Sequence, residues 1–278
     1  MTIDSLLKLA YGRLASQSDT AQIDAQLLLA HVLGVSISYF FTWPEKAVSD
    51  SASEQFDTLL ARREQGEPIA YILGQQDFWT LSLETSKHTL IPRADTERLV
   101  EVALELQPNG VKRVLDLGTG TGAIALALAY EWRSADVVGI DFQAQAVALA
   151  QRNAVKNNIK NTRFLQSDWF SALADEPLFD VIVSNPPYID PEDQHLSQGD
   201  VRFEPITALV ADDHGLADIR RIIDGALVHL VGGGWLMFEH GYDQATAVRQ
   251  LFSDKAFKDI ATYKDLGGND RVTVGRLA

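Results

Sequence analysis

Two short stretches carry residue types whose spacing suits chemistry. Asp116-Leu117-Gly118-Thr119-Gly120-Thr121-Gly122 sets three glycines directly after an apolar run, and Asn185-Pro186-Pro187-Tyr188 follows another. In the first, glycine lets the backbone approach a ligand without an intervening side chain and adopts positive φ at no steric cost. Asp141 follows about 20 residues on, where a carboxylate can accept both hydroxyl hydrogens of a ribose. Together these read as a nucleoside site. In the second stretch the prolines fix φ and keep the residues before them extended, so Asn185 and the Pro186 carbonyl form a rigid pair of acceptors. Each can take one hydrogen of an NH₂ group, and Tyr188 supplies a flat face.

Gly118, Gly120 and Ala123 also satisfy G-x-G-x-x-A, so the glycines alone do not separate a nicotinamide cofactor from S-adenosylmethionine. The Asn-Pro-Pro-Tyr segment separates them. A carboxamide nitrogen is a feeble nucleophile because its lone pair is delocalised, whereas a sulfonium methyl is strongly activated. Positioning is then the main difficulty. Two fixed acceptors favour the more positive NH₂ that develops as the new bond forms, which is stabilisation of the transition state over the ground state. Neither a metal nor a covalent enzyme intermediate is needed. Taken singly, a helix-starting glycine turn, a strand-end aspartate cap and an Asn-Pro loop are ordinary features. Their order explains them jointly.

The elements that must hold these residues follow from hydrophobic periodicity. Residues 1–75 read as helical: Leu6, Leu7, Leu9, Ala10 and Leu14 make one face, and Asp19 can cap a second helix carrying Ile23, Leu27, Leu28 and Val32 before Gly34. Ser51 or Ser53 opens a third, with Phe56, Leu59 and Leu60, ending at Arg62, Arg63 and Gly66. Residues 76–91 read as a linking hairpin, with Phe78, Trp79, Leu81 and Leu83 extended and Thr89-Leu90-Ile91 returning across a Ser86-Lys87-His88 turn. From residue 92 to 278, strand-like runs at 113–117, 136–140, 162–165, 179–184, 235–238 and 271–274 alternate with helical runs at 123–130, 144–156 and 218–230. That alternation implies a parallel sheet covered on both faces, an α/β domain.

Composition removes other classes. The chain has 278 residues, of which 46% are hydrophobic, so it can build real cores. Its net charge is −14, and the first 75 residues carry −4 of it, so neither part shows the basic excess of a polyanion binder. With no cysteine, disulfides, thiolate metal sites and cysteine nucleophiles are excluded. The six histidines lack metal-ligand spacing, so no metal is expected. Met1-Thr2-Ile3-Asp4-Ser5 lacks the look of a signal peptide, and the run 123–130 is too short for a membrane span, so a cytoplasmic protein is expected. Asp212-Asp213 and Glu192-Asp193 read as solvated loop carboxylates, and Trp43, Trp79 and Trp132 as packing residues. His240 reads as a pocket, core or cap residue.

On these residues the chain resembles the class I S-adenosylmethionine-dependent methyltransferases, and more closely the peptide chain release factor glutamine methyltransferases. The resemblance extends to Gly66-Glu67-Pro68-Ile69-Ala70-Tyr71-Ile72, Ile91-Pro92-Arg93-Ala94-Asp95-Thr96-Glu97, Phe203-Glu204-Pro205, Glu239-His240-Gly241 and Gly268-Asn269-Asp270-Arg271. Ala94 is the one departure, where proline is expected. The resemblance implies a doubly wound, seven-stranded, mostly parallel sheet with a small helical amino-terminal domain that recognises the substrate. It implies that Gly118, Thr119, Gly120, Thr121 and Gly122 hold the methionyl part of S-adenosylmethionine, that Asp141 holds the ribose, and that Asp168 and Trp169 border the adenine. Asn185, Pro186, Pro187 and Tyr188 then hold the substrate amide, with Asn185 also beside the cofactor and with Asn185, Pro186 and Tyr188 catalytic; S-adenosylhomocysteine is the product. The implied partners are class I release factors, met by a monomer with no direct nucleic-acid or membrane binding; no role is assigned to Glu204, Glu239 or His240. Asn-Pro-Pro-Tyr is shared with adenine methyltransferases, which keeps an amino methyltransferase acting on DNA or RNA as the alternative. A non-catalytic nucleoside-binding module is a third reading, opposed by the presence of both motifs intact.

Overall fold

The computed structural model describes residues 1–278, apart from the side chain of His195. The chain divides into two compact units: Met1–Gln75 with His195–Phe203, and Gln76–Gln194 with Glu204–Ala278.

The first unit is helical. α1 (Ile3–Leu14) starts in a capping box, where Thr2 Oγ1 accepts from Ser5 N at 3.2 Å and Ser5 Oγ from Thr2 N at 2.9 Å. α2 (Ala21–Leu33) stops at Gly34, which takes φ +63°. Then come α3 (Ser38–Thr42), α4 (Asp50–Glu64) and α5 (Ile69–Leu73). Leu14, Leu28, Leu29, Phe56 and Leu60 form the core. Several local expectations are corrected. Asp19 does not cap α2; instead the Ser18 and Thr20 hydroxyls donate to Asp24, at 2.7 and 3.0 Å. Ser49, rather than Ser51 or Ser53, opens α4 by accepting from Ala52 N. Leu9 and Ile23 are exposed, and Trp43 is 56% exposed rather than packed. Asp24 and Arg63 are both buried and pair at 2.8 Å, and Arg63 also reaches Asp200 at 2.8 Å. That pairing is why 195–203 clusters with the helices although the sequence sets it among the strands.

The second unit begins with β1 (Gln75–Phe78) and β2 (Leu81–Glu84), a hairpin tighter than expected. It turns at Trp79, which takes φ +57° and donates its N–H to Glu97 at 2.7 Å, so Thr89–Ile91 makes no strand. After α6 (Glu97–Leu106), which periodicity did not single out, come β3 (Arg113–Leu117), α7 (Ala123–Glu131), β4 (Asp136–Asp141), α8 (Ala144–Lys156), β5 (Thr162–Gln166) and β6 (Phe179–Ser184). The chain ends with α9 (Ala217–Ala226), β7 (Leu230–Glu239), α10 (Ala245–Ser253), β8 (Phe257–Lys264) and β9 (Asp270–Leu277). α9 is shorter than the expected 218–230 because Leu230 already belongs to β7, and β8 was not expected at all.

The seven strands run in the order β5-β4-β3-β6-β7-β9-β8, parallel from β5 to β7, with β9 antiparallel to β7 and to β8. Strand order reverses between β3 and β6, so their carboxyl ends open the crevice where such sheets bind ligands. One core packs α6, α7 and α8 on one face, and a second packs α9 and α10 on the other. This is the doubly wound α/β fold. Among the described residues, no helix is long and apolar enough to cross a membrane.

Candidate active site

The carboxyl ends of the parallel strands surround a cavity of about 270 Å³. Gly118, Thr119, Gly120 and Thr121 line it from the turn after β3, and Asp141, Phe142 and Gln143 from the end of β4. The turn works because Gly118 and Gly120 take φ +72° and +55°, a region L side chains rarely occupy. Gly122 does not line the cavity. A Cβ there would lie 3.1 Å from Ala150 and Leu126, so its smallness lets α7 pack against α8. Asp141 does more than the sequence implies: Gly120 N donates to its Oδ2 and Gln143 N to its Oδ1, each at 2.9 Å. The carboxylate therefore shapes the turn and keeps a free lone pair on each oxygen for a ligand. Burial raises its pKa, and the two backbone donors oppose that shift.

Beneath the turn, Asp116 is fully buried. Thr119 Oγ1 donates to its Oδ2 at 2.7 Å and Ala125 N at 3.2 Å, while Oδ1 has no partner among the described residues. Burial pushes this carboxyl up to about 7, opposed by both donors and reinforced by the Asp141 charge. Past β5, Asp168, Trp169 and, from α9, Asp218 complete the wall. Asp168 also pairs with Arg221 at 2.9 Å. Three wall carboxylates suit a positively charged nucleoside, and the residues present fit S-adenosylmethionine.

Asn185 and Pro187 enter the same cavity from the end of β6, with Thr96 opposite. Asn185 Nδ2 donates to Thr96 Oγ1 at 3.2 Å, which turns Oδ1 away from that contact as the free acceptor. Pro186 and Tyr188 are not among the cavity's lining residues. Pro186 is buried, and the Tyr188 hydroxyl donates to Glu239 Oε1 at 3.3 Å, so its ring is an anchored wall behind Asn185. Burial beside the Glu239 charge pushes the phenol well above its ordinary value, which keeps it protonated as a donor.

Comparison with known proteins adds identity to this geometry. Curated relatives named release factor glutamine methyltransferase are 52% identical in Aliivibrio fischeri, over 99% of this chain and 98% of theirs. Those of Vibrio cholerae and Escherichia coli are each 53% identical, over 99% and 93% of this chain and 97% and 93% of their own. The chain belongs to the release factor glutamine methyltransferase family. In keeping with that family, residues 5–74 match the PrmC N-terminal domain and residues 96–201 the methyltransferase small domain. Solved structures share the fold at low identity. The Thermus thermophilus 16S rRNA N2 G1207 methyltransferase, solved with AdoMet and guanosine, has a TM-score of 0.52 at 24% identity, covering 73% of this chain and 50% of that one. The hMettl16 catalytic domain with an RNA hairpin has 0.58 at 17%, covering 82% of each.

The site of this family member includes residues to which the sequence reading gave no role. Gln244, at the start of α10, accepts from Gly241 N at 2.8 Å and donates to the Tyr188 carbonyl at 2.9 Å and the His214 carbonyl at 3.1 Å. Gly215 takes φ +80° directly beneath Tyr188, where a Cβ would lie 2.0 Å from the carbonyl oxygen. Asp213 and His214 before it also take positive φ, so the turn Asp212–Gly215 is strained where it supports the Asn-Pro-Pro-Tyr backbone. Glu204 is buried, pairing with Arg93 and accepting from Ile91 N at 3.3 Å. His240 is a core residue, bridging the Gly241 carbonyl at 2.8 Å and Thr273 Oγ1 at 2.7 Å. The signal for Glu204 and His240 lay in the segments around Phe203 and Glu239, which stood out only by resemblance; Gln244 and the turn carried none.

Proposed function

We propose that this protein transfers a methyl group from S-adenosylmethionine to the side-chain amide nitrogen of the glutamine in the Gly-Gly-Gln loop of class I peptide chain release factors. The observation that carries the reading is Asn185, which gives one amide hydrogen to Thr96 at 3.2 Å while it lines the cavity shared with the glycine turn and Asp141. Its oxygen is left to accept from an incoming NH₂. The names of relatives at 52% and 53% identity agree with a glutamine amide as that NH₂.

S-adenosylmethionine supplies an activated methyl group on a sulfonium. The chain supplies position. Asp141 would hold the ribose and the Gly118–Thr121 part of the turn the methionyl part, and Asp168, Trp169 and Phe142 would border the base. Asn185 Oδ1 and the Pro186 carbonyl each accept one amide hydrogen. Methyl transfer would exchange the sulfonium S–C bond for an N–C bond, with S-adenosylhomocysteine leaving; the nitrogen would turn positive and lose one proton to water, and two acceptors on its hydrogens would stabilise that charge. The helical unit recognises the protein partner, because one glutamine side chain cannot distinguish a release factor from other proteins. The reaction runs in the cytoplasm, on a monomer.

Incubation of the protein with radiolabelled S-adenosylmethionine and a cell lysate, followed by identification of the labelled polymer and residue, tests this reading. Label on the loop glutamine of a release factor is expected. Label in nucleic acid would replace the reading with an adenine methyltransferase.

A further inference from the structure

The hairpin of β1 and β2 forms a two-stranded sheet of its own, and two strands alone are marginal in water. Two asparagines hold it. Asn153 on α8 and Asn157 just past its end stand four residues apart on one face of the helix, and they meet Glu84 and Ser82, two residues apart on one edge of β2. Asn157 Oδ1 accepts from Ser82 N at 3.2 Å, and its Nδ2 donates to the Ser82 carbonyl at 3.0 Å. Asn153 repeats the pattern on Glu84: Oδ1 accepts from the backbone N–H at 2.7 Å and Nδ2 donates to the carbonyl at 3.1 Å. Each side-chain amide does for β2 what a neighbouring strand would do.

The two differ in where the second amide hydrogen goes. Asn157 gives it to its own helix, at the Asn153 carbonyl 2.9 Å away. Asn153, which is fully buried, gives it to the Thr121 carbonyl at 2.9 Å, 32 residues back and inside the glycine turn. Thr121 lines the cavity beside Gly120. The other end of the same peptide group, Gly122 N, donates to the Thr119 carbonyl at 2.8 Å, so the plane of that peptide is held at both ends. Asp141 grips the turn through Gly120 N, and Asn153 grips it through a carbonyl. The orientation of the Asn153 amide is itself fixed, because a backbone N–H can only donate and so must face Oδ1.

We propose that Asn153 is a positioning residue for the methyl donor, which locks the Thr121 peptide of the glycine turn and ties that turn to the β1–β2 hairpin. This rests on the reading that the turn takes S-adenosylmethionine. The residue type follows from the partners: one N–H and two carbonyls must be met by a single planar group that accepts once and donates twice, as a carboxamide does and a carboxylate does not. The tie works in both directions. A ligand that steadies the turn also steadies the Asn153 amide, and with it the bond from Glu84 N, although Glu84 does not line the cavity.

The test uses the full chain, with S-adenosylmethionine affinity read by calorimetric titration and stability by thermal unfolding without ligand. Asn153→Asp keeps the shape and the bond from Glu84 N but sets an oxygen against the Thr121 carbonyl; Asn157→Asp makes the same change at the hairpin without touching the turn. Both should lower the melting temperature. Asn153→Asp should also weaken S-adenosylmethionine binding about tenfold or more, and Asn157→Asp less than about twofold. In wild type, S-adenosylmethionine should slow hydrogen exchange at the Glu84 amide several-fold, a readout that decides the matter if Asn153→Asp does not fold. Folded Asn153→Asp with wild-type affinity, equal losses of affinity in the two variants, or Glu84 exchange indifferent to the ligand would overturn the proposal. Asp141→Ala is the control for the underlying reading: unchanged affinity there defeats that reading, whereas weakened binding by Asp141→Ala beside unaffected binding by Asn153→Asp defeats this proposal only.

Discussion

Two parts of the candidate site, the donor half proposed to take S-adenosylmethionine and the acceptor half proposed to take the amide, are built differently. The donor half is made mostly of backbone and of residues near in sequence: Asp116 through Gly122, then Asp141, whose two oxygens take Gly120 N and Gln143 N. The acceptor half is assembled from side chains far apart in the chain. Asn185 leans on Thr96 across 89 residues, and Tyr188 on Glu239 across 51. Between Tyr188 and Glu204 the chain also passes through His195–Phe203, which clusters with the helical unit. On the proposed assignment, binding the methyl donor would be a local property of this chain, whereas holding the acceptor would depend on distant segments. Changes remote from the cavity should therefore damage turnover before they damage cofactor binding.

The largest effect is expected outside the sheet unit. Arg63→Met leaves Asp24 buried without its cation, and breaking such a pair costs about 3 to 5 kcal/mol. Denaturant unfolding should show the loss in the helical unit. Methylation of a release factor should fall with it while calorimetric S-adenosylmethionine affinity holds; an equal fall in both would erase the distinction between the halves. Asn185→Ala comes next. It should reduce single-turnover methyl transfer by about 100-fold, roughly 3 kcal/mol, with cofactor affinity nearly unchanged.

Asp141→Ala is the converse. A charged acceptor to ribose is worth about 1.5 to 3 kcal/mol, so cofactor affinity should fall roughly 10- to 100-fold. The melting temperature should fall too, because Gly120 N and Gln143 N lose their acceptor. Unchanged affinity in a folded variant would mean that the ribose is held elsewhere.

The smallest effect is a pH dependence. Asp116 has a folded pKa of about 7 against an ordinary value of 3.8, so between these values the folded state holds more protons than the unfolded. Its contribution to stability is therefore greatest below about pH 4, declines as pH rises, and is lost by about pH 7. A bound cation favours the ionised carboxylate, so S-adenosylmethionine should bind several-fold more tightly at pH 8 than at pH 6 and release protons on binding. Asp116→Asn should flatten both trends, and an unchanged profile in that variant would assign them to another group.

What was legible in the sequence follows the same division. The glycine turn, Asp141 and the strand–helix alternation were readable because each is local and carries its own periodicity or turn chemistry. Asn-Pro-Pro-Tyr was readable as a rigid acceptor pair, yet the burial of Pro186 and the anchoring of Tyr188 on Glu239 depend on a strand end that no spacing rule connects to them. Thr96 and Gln244 were hidden for the same reason, since a threonine or a glutamine has no sequence mark until its partner is in place. β8 was missed because its burial alternates poorly: Lys258 and Asp259 are exposed beside a shift in register. The start of α4 was misplaced because Ser49, Ser51 and Ser53 are equally good caps by type, and only tertiary context selects Ser49.

Localisation of the methyl group on an intact release factor by mass spectrometry, after a single turnover with this protein, tests the account most directly. The account predicts one methyl group on the side-chain nitrogen of the Gly-Gly-Gln glutamine and none elsewhere in the factor. A methyl group on a different residue, or transfer to nucleic acid in place of the factor, would contradict it.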